Sequence, residues 1–341
     1  MPGYYFNLPP ITRLTRAQQA ALNEPRQIAL SGGPGTGKSV VSMWRHISNH
    51  QNGYRSLLLT YTTTLKRYLE ACCSGINTYA AHNVGTSLKN KYLTRTRHYY
   101  EVIIDEAQDL EPDYFSNIIS QVSYGADDSQ VLYPEHSSSQ DDLENLFPGN
   151  VQCLLDKNFR CTQEIMLFVR QAFPEAAISL DMINNIDKHG PKPSLIVGDW
   201  DSFDNTPGEE INAILEIVSE LRKDTENIAI LLPWKNSVKS YALALQDDLD
   251  DFSFYYESQA DFPEGCPPLK NVHITTFKSA KGLEFDTVII PDFGRKNSIV
   301  GNYNIDWNDY YVGCTRAKSN LYLFSNRHLP SINSVVNVTT I

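Results

Sequence analysis

The sequence predicts an α/β protein of two domains, each built on a mostly parallel sheet flanked by helices. Three observations point there. A short apolar run, Ile28 to Leu30, leads through a glycine-rich turn into a helix-forming stretch from Val40 to His50. A second apolar, β-branched run, Glu101 to Ile104, ends on the acids Asp105 and Glu106. From Ser194 onward short apolar runs alternate with helical segments, the pattern of parallel strands joined by crossovers. The chain has 341 residues, 41% hydrophobic, enough for two packed cores. Pro148-Gly149-Asn150 is a strong breaker and sets the expected domains at 1–150 and 151–341.

Composition narrows the function classes. The net charge is −11, so nucleic acid would have to be met by a local basic patch rather than by the chain as a whole. Six cysteines are scattered without a C-x-x-C pair, which argues for a reducing compartment and against a zinc module or disulfide framework. Met1 to Pro10 has neither the basic nor the apolar region of a signal peptide, and no apolar run approaches the roughly 18 residues of a membrane span. The expectation is a cytoplasmic protein with no membrane partner.

Taken in order, Leu14 to Leu22 reads as a capped amphipathic helix, with Thr15 as N-cap and Gln18 at the capping-box position. Gln18 has a second reading, an amide just upstream of the glycine-rich turn that hydrogen-bonds an adenine edge. That turn, Gly32-Gly33-Pro34-Gly35-Thr36-Gly37-Lys38-Ser39, has the spacing G-x-x-x-x-G-K-S of a phosphate-binding loop. Glycines turn backbone N–H groups toward phosphate oxygens, and the following helix aims its positive dipole end at the same anion. Gly35, Thr36, Gly37 and Lys38 are therefore candidate nucleotide contacts, with Ser39 Oγ a candidate Mg²⁺ ligand.

Ser56 to Tyr61 is a buried-type strand, and Thr62 to Ala71 a helix carrying Lys66 and Arg67. Ser87 to Tyr100 is the most basic stretch, with Lys89, Lys91, Arg95 and Arg97, no acid, and three interleaved tyrosines. Cations meet phosphates and rings stack on bases, which makes it a candidate nucleic-acid contact; a solvated linker entering the next strand is the other reading. Asp105, at the end of a buried strand, suits Mg²⁺, and Glu106 beside it is placed to deprotonate a water. Gly125 to Gln130 is turn-like, and Ser137 to Asp142 is a loop. Val151 to Leu155 is a strand, followed by Asn158-Phe159-Arg160 and a helix over Thr162 to Phe173. Strands are expected at Ser194–Val197, Asn227–Leu232, Asn271–Thr276, Thr287–Ile290 and Leu321–Phe324, with helices at Glu209–Leu221 and Asn236–Leu245. The acid run Asp247 to Asp251 is a solvated helix end.

Read as an ordered set, these segments resemble the UvrD/Rep-like branch of superfamily 1 helicases. The most specific pieces are Asp105-Glu106-Ala107-Gln108-Asp109, Thr276 to Phe285 (TFKSAKGLEF) and Tyr311 to Lys318 (YVGCTRAK). The resemblance implies two RecA-like lobes and an ATPase driven by Mg²⁺ and ATP. It implies Gln18 on adenine, Phe159 stacked on the base, Glu284 with Gly282 at the ribose, and Lys38 and Ser39 on phosphates and metal. It likewise implies Asp105 on the metal, Glu106 activating water, Gln130 sensing the γ-phosphate, and Arg160 and Arg316 as arginine fingers. Such a finger is worth about 10³–10⁵ in rate.

The nucleic-acid side departs from the family. Tyr61 keeps an aromatic of one strand-contacting segment, but Ala80 stands where the family has a histidine, Lys278 replaces another, and Pro134-Glu135-His136 follows Tyr133 where an aromatic and Arg-Gly-Ala are usual. Only Tyr79 to Tyr100 separates two motifs between which the family inserts an accessory domain. The expectation is a compact helicase or translocase moving on single-stranded DNA or RNA, with Tyr61, Lys66, Tyr133 and Lys278 as contacts. The rival is an ATPase switch without unwinding activity, acting on a protein partner such as a nuclease subunit. A P-loop kinase fits less well, because two arginine motifs and Glu284 have no place in a single lobe.

Overall fold

The computed structural model describes residues 4, 6, 8–131, 134–200, 208–223, 225–256, 268–301 and 305–341. Two compact units divide them. The first is Phe6–Phe159; the second is Arg160–Ile341 together with Tyr4 from the start of the chain. The division falls nine residues beyond the expected boundary at 150, because the strand after the Pro148 breaker pairs along its whole length with the strand before the glycine-rich turn.

The first unit holds a six-stranded parallel sheet of β1 (Ile28–Ser31), β2 (Ser56–Thr60), β3 (Val84–Thr86), β4 (Glu101–Asp105), β5 (Val122–Gly125) and β6 (Val151–Leu154), in the order β3-β2-β4-β5-β1-β6. Period-2 alternation splits each strand between two layers. Leu57, Leu59, Val102, Ile104 and Tyr124 face one core with Tyr114 and Phe115. Ile28 and Leu30 face the other with Ala21, Val41 and Leu155. Helices α1 (Arg16–Asn23), α2 (Lys38–Gln51), α3 (Thr63–Ser74), α4 (Thr78–Ala81), α5 (Ser87–Thr96), α6 (Pro112–Phe115) and α7 (Gln140–Leu146) complete it. The basic stretch is thus mainly a helix, α5, rather than a linker. Its Ser87 and Thr94 are buried while Lys89, Lys91, Tyr92 and Arg95 stand in solvent.

Beneath the sheet Glu101 is fully buried. Its carboxylate accepts from Arg45 Nε at 2.8 and 3.0 Å, from Asn49 Nδ2 at 2.8 Å and from Ser123 Oγ. Arg45 also donates from Nη1 to Glu24 O at 2.8 Å and from Nη2 to Arg26 O at 2.7 Å. The network pins α2 to β4 and β5, and so fixes where α2 begins.

The second unit holds a seven-stranded parallel sheet of β7 (Ser194–Val197), β8 (Ile228–Leu232), β9 (Ser253–Tyr255), β10 (Val272–Thr276), β11 (Phe285–Ile290), β12 (Ala317–Ser325) and β13 (Asn337–Thr340), in the order β13-β7-β12-β11-β8-β10-β9. Its helices are α8 (Gln163–Ala172), α9 (Leu180–Asn184), α10 (Glu210–Leu221), α11 (Lys235–Leu245), α12 (Lys296–Ile299) and α13 (Trp307–Cys314). Ile228, Ile230, Leu232, Ile274, Ile289 and Phe324 form its core with Val218 and Tyr241. The five strands expected here are present. β9 and β13, at the two edges, were not expected: three and four residues long, they carry too little periodicity to be read. Among the described residues no helix is long and apolar enough to cross a membrane.

Candidate nucleotide-binding site

Parallel pairing puts the carboxyl ends of β1, β4 and β5 on one edge of the first sheet, where open α/β sheets take their ligands. The glycine-rich loop follows β1, the acids follow β4, and Gly125 ends β5 between them.

The loop is shaped by three glycines at positive φ: Gly32 at 136°, Gly35 at 73° and Gly37 at 90°. A Cβ on Gly32 would lie 2.0 Å from the backbone oxygen of Leu155, so that position needs glycine for space as well as conformation; at Gly37 the nearest atom is the side-chain end of Gln18, 2.4 Å away, and the positive φ is the firmer demand. Gln18 fulfils its capping role: Thr15 Oγ1 accepts from its N–H at 3.2 Å, and its Oε1 accepts from the Thr15 N–H at 2.9 Å. The same side chain reaches the loop, where Nε2 donates to Thr36 O at 2.9 Å. Cap and loop are therefore braced by one amide.

The segment after β6 crosses the loop. The N–H of Leu155 donates to Ser31 O at 2.8 Å, Asn158 Nδ2 to Pro34 O at 2.7 Å, and the Phe159 N–H to Gly35 O at 2.9 Å. Between this segment and the start of α1 lies a cavity of about 200 Å³, lined among others by Thr15, Gln18, Thr36, Leu155, Lys157 and Phe159. It is smaller than the roughly 300–1,000 Å³ that enclose a drug-sized ligand, and its size suits one ring system. Phe159 is 45% exposed, with Lys157 Nζ 5.7 Å from its ring centre.

Lys38, the first residue of α2, is buried, and its ammonium lies among oxygens: Gly32 O, Gly33 O at 3.1 Å and Asp127 Oδ2 at 3.4 Å. The same Asp127 oxygen accepts from Gln130 Nε2, and the Asp127 N–H donates to Gln108 Oε1 at 3.3 Å. Gln108 Nε2 in turn donates to Glu106 Oε2 at 2.5 Å. Asp127 is thus a hub joining Lys38, Gln130 and, through Gln108, Glu106. Asp127, Gln108 and Asn158 were not singled out from sequence as site residues. Their signal lay in the segments themselves, the acid before Gln130 and the amide after Glu106.

Asp105 closes β4, 1% exposed. Glu106, directly after it, has φ 58° and ψ 46°, a left-handed conformation that costs a non-glycine residue about 1–3 kcal/mol. A Cβ on Gly125 would lie 3.4 Å from Asp105 Oδ1 and 3.6 Å from Lys38 Cβ, so the missing side chain leaves room beside carboxylate and lysine. Ser39 sits half-buried in the first turn of α2. Among the described residues no three His, Cys, Asp or Glu side chains gather to hold a metal by themselves. One carboxylate and one hydroxyl, with room left for phosphate oxygens and water, is the oxygen donor set that suits Mg²⁺.

In the second unit the sequence-expected residues also converge. Arg160 Nε lies 3.5 Å from Glu284 Oε2, and its Nη1 donates to Thr315 O at 3.4 Å. Arg316 is 1% exposed and donates to Val312 O at 3.0 Å, Leu283 O at 3.4 Å and Thr315 Oγ1 at 3.3 Å. Gly282, at φ 81°, makes the turn that delivers Glu284. Thr315 bridges the two arginines, a role the sequence alone did not disclose.

Of the expected nucleic-acid contacts, Tyr61, Lys66 and the basic residues of 89–97 lie in the first unit and Lys278 in the second. Tyr61 packs half-buried beside the first core. Lys66 is ion-paired with Glu70, and Lys278 Nζ lies 4.0 Å from Asp309 Oδ1. Asp309 is 1% exposed, and burial pushes its carboxyl up to about 6 against the pull of Lys278. Lys89, Lys91 and Arg95 project from α5 and Arg97 follows it, all exposed. Tyr133 lies outside the described residues. Five of the six cysteines are described, and all five are free thiols.

A phosphate-binding loop at the edge of one parallel sheet, and paired arginine motifs on a second, define a P-loop nucleotide-binding protein with two RecA-like domains. The family description UvrD-like helicase C-terminal domain matches residues 62–328. The chain belongs to the UvrD-like family of superfamily 1 helicases, as its motifs implied. It is 26% identical over 256 residues to a provisionally named ATP-dependent DNA helicase of Acanthamoeba polyphaga mimivirus, a match covering 68% of this chain and 35% of that protein. Over 84 residues it is 33% identical to a mitochondrial ATP-dependent DNA helicase of Saccharomyces cerevisiae, covering 25% of this chain and 11% of that protein. The matches thus span about a third or less of these curated relatives. In fold it is similar to Saccharomyces cerevisiae Dbp5 bound to RNA and ADP BeF3, with TM-score 0.58 and 12% identity over 97% of this chain and 90% of that one. A single-residue variant of the same protein gives TM-score 0.56 at 13% identity, over 96% and 90% of the two chains.

Proposed function

We propose that the protein is an ATP-hydrolysing motor that moves on single-stranded nucleic acid. The observation that supports this best is the Asp127 hub. One carboxylate oxygen holds both the Lys38 ammonium and the Gln130 amide, as a phosphate oxygen would. A γ-phosphate entering the loop offers the same acceptors, and the two side chains exchange Asp127 for it. Phe159 and the cavity beside Gln18 take the base. Ser39 and Asp105 would hold Mg²⁺, which neutralises charge on the phosphates when bound. Glu106 then takes the proton of the attacking water, its carboxylate aimed by Gln108. Arg160 and Arg316 are the candidate donors to the charge that develops in transfer.

Single-stranded DNA or RNA would be met by Tyr61, Lys278 and the basic face of α5. A second reading, an ATPase governed by a protein partner, is favoured by one observation: Lys66 and Lys278 are already ion-paired within the chain. A cytoplasmic location fits either reading.

The test is ATP turnover with and without single-stranded DNA, with Lys38→Ala as the blank. Stimulation of tenfold or more supports the motor; basal turnover without stimulation supports the partner-governed switch. Retained turnover in Lys38→Ala or Arg316→Ala would break the site assignment.

A further inference from the structure

The chain visits the second unit twice. Tyr4 belongs to it, Phe6 to Phe159 build the first unit, and Arg160 returns. Both covalent connections therefore start from one small region of the second unit, because Tyr4 and Arg160 meet the same residue there. The Tyr4 hydroxyl donates to Glu284 O and accepts from the Glu284 N–H at 3.3 Å. Its own N–H donates to Leu269 O at 2.9 Å, and its ring stands edge-on against Phe285 with centroids 5.7 Å apart. Tyr4 is 4% exposed. Glu284 points its carboxylate at Arg160, whose other end reaches Thr315, and Thr315 also receives Arg316.

We propose that Tyr4 is a positioning residue for hydrolysis: its hydroxyl clamps the Glu284 backbone from both sides and thereby sets the carboxylate that orients Arg160. The inference rests on the reading of Arg160 as a hydrolysis residue. The physical logic is one of lever arms. Glu284 follows a turn made by Gly282 at positive φ, a place where backbone rotation is least hindered. Without a clamp, freedom at that turn passes into the Glu284 side chain and on to the guanidinium, and a donor displaced by a fraction of an ångström loses much of its stabilising effect. A phenol that both donates and accepts restrains the peptide units on either side of the Glu284 Cα, which a purely apolar anchor does not do. The ring on Phe285 supplies the apolar part of the anchor separately.

The two parts can be separated experimentally. Tyr4→Phe keeps the ring and deletes the hydroxyl. The expected result is a kcat for ATP lowered roughly 5- to 10-fold, the scale of one lost hydrogen bond. In an Arg160→Ala background the same substitution should cost no further kcat, since the clamp acts on turnover through that guanidinium. Amide exchange at Glu284 should also speed up in Tyr4→Phe. If Arg160→Ala is impaired and Tyr4→Phe is not, the inference is overturned and the reading of Arg160 stands. If Tyr4→Phe is impaired by the same factor with and without Arg160, Tyr4 acts elsewhere and the inference is again overturned. If Arg160→Ala itself turns over normally, the reading of Arg160 fails first and takes the inference with it. Unchanged exchange at Glu284 refutes the clamp whatever the kinetics.

Discussion

Glu106 offers the sharpest separation of stability from chemistry. Its left-handed backbone costs about 1–3 kcal/mol, which glycine would not incur. Its carboxylate accepts a hydrogen bond from Gln108 in a site 7% exposed, worth about 1.5–3 kcal/mol as a bond to a charged group. In Glu106→Gly the two effects oppose each other, so the folded protein should lose no more than about 2 kcal/mol, a shift of only a few degrees in Tm. Glu106→Gln keeps the shape and removes the proposed base. Both variants should bind Mg-ATP and lose turnover by about 10²- to 10⁴-fold, the usual worth of a positioned general base. Phosphate release at saturating ATP, with nucleotide affinity and Tm measured alongside, reads all three quantities. Turnover in Glu106→Gln within threefold of the parent would refute the assignment. A loss of more than about 4 kcal/mol in Glu106→Gly would refute the energetic account.

Three further outcomes are expected. Glu101→Gln strips the charge facing buried Arg45 and should destabilise the first unit by about 3–5 kcal/mol, read by denaturant unfolding; a change below about 1 kcal/mol would show the pair to be neutral. Asn158→Ala frees Pro34 O and loosens the loop, so KM for ATP should rise several-fold with little change in Tm, and an unchanged KM would dismiss the brace. Burial pushes His46 and His273 down to about 3, so between about pH 6.5 and 3 the unfolded chain binds protons that the folded chain refuses, and stability falls as pH drops through that window. Asp309, pushed up to about 6, works the other way, taking up a proton in the folded state below that pH. Near pH 5 Asp309→Asn should therefore lose stability more steeply than the parent, by about one proton in the linkage slope, and equal slopes would refute the account.

What could be read from sequence was local in sequence. The phosphate loop, the Thr15–Gln18 capping box and the Asp105-Glu106 pair each fit in a few residues, and spacing alone specifies their geometry. The arginine cluster is different: Arg160 is 124 residues from Glu284 and 155 from Thr315, and no pattern in a single chain announces that they meet. Only the resemblance placed them together, and it did not single out Thr315. The strands β3 and β5 also escaped notice. Val84–Thr86 is too short for periodicity, and Val122–Gly125 runs into polar residues that read as a turn. The boundary set at Pro148 followed a real breaker, but a breaker marks the end of a helix or strand and carries no information about which sheet the next strand joins.

Asn158, Phe159 and Arg160 are consecutive, yet each has its own destination. Asn158 hooks the glycine-rich loop, Phe159 lines the cavity beside Gln18 and Arg160 opens the second unit against Glu284. Adding or deleting one residue would send every side chain to its neighbour's place, so at this tripeptide a change of length should be far less tolerable than a change of letter. The exposed loop at Asn52 and Gly53, where an added Cβ on Gly53 would meet nothing within 4 Å, has no such triple commitment. Codon-scale insertions scanned across both segments should therefore survive in the loop and vanish at the tripeptide, a fingerprint of function that no single-residue replacement would reveal.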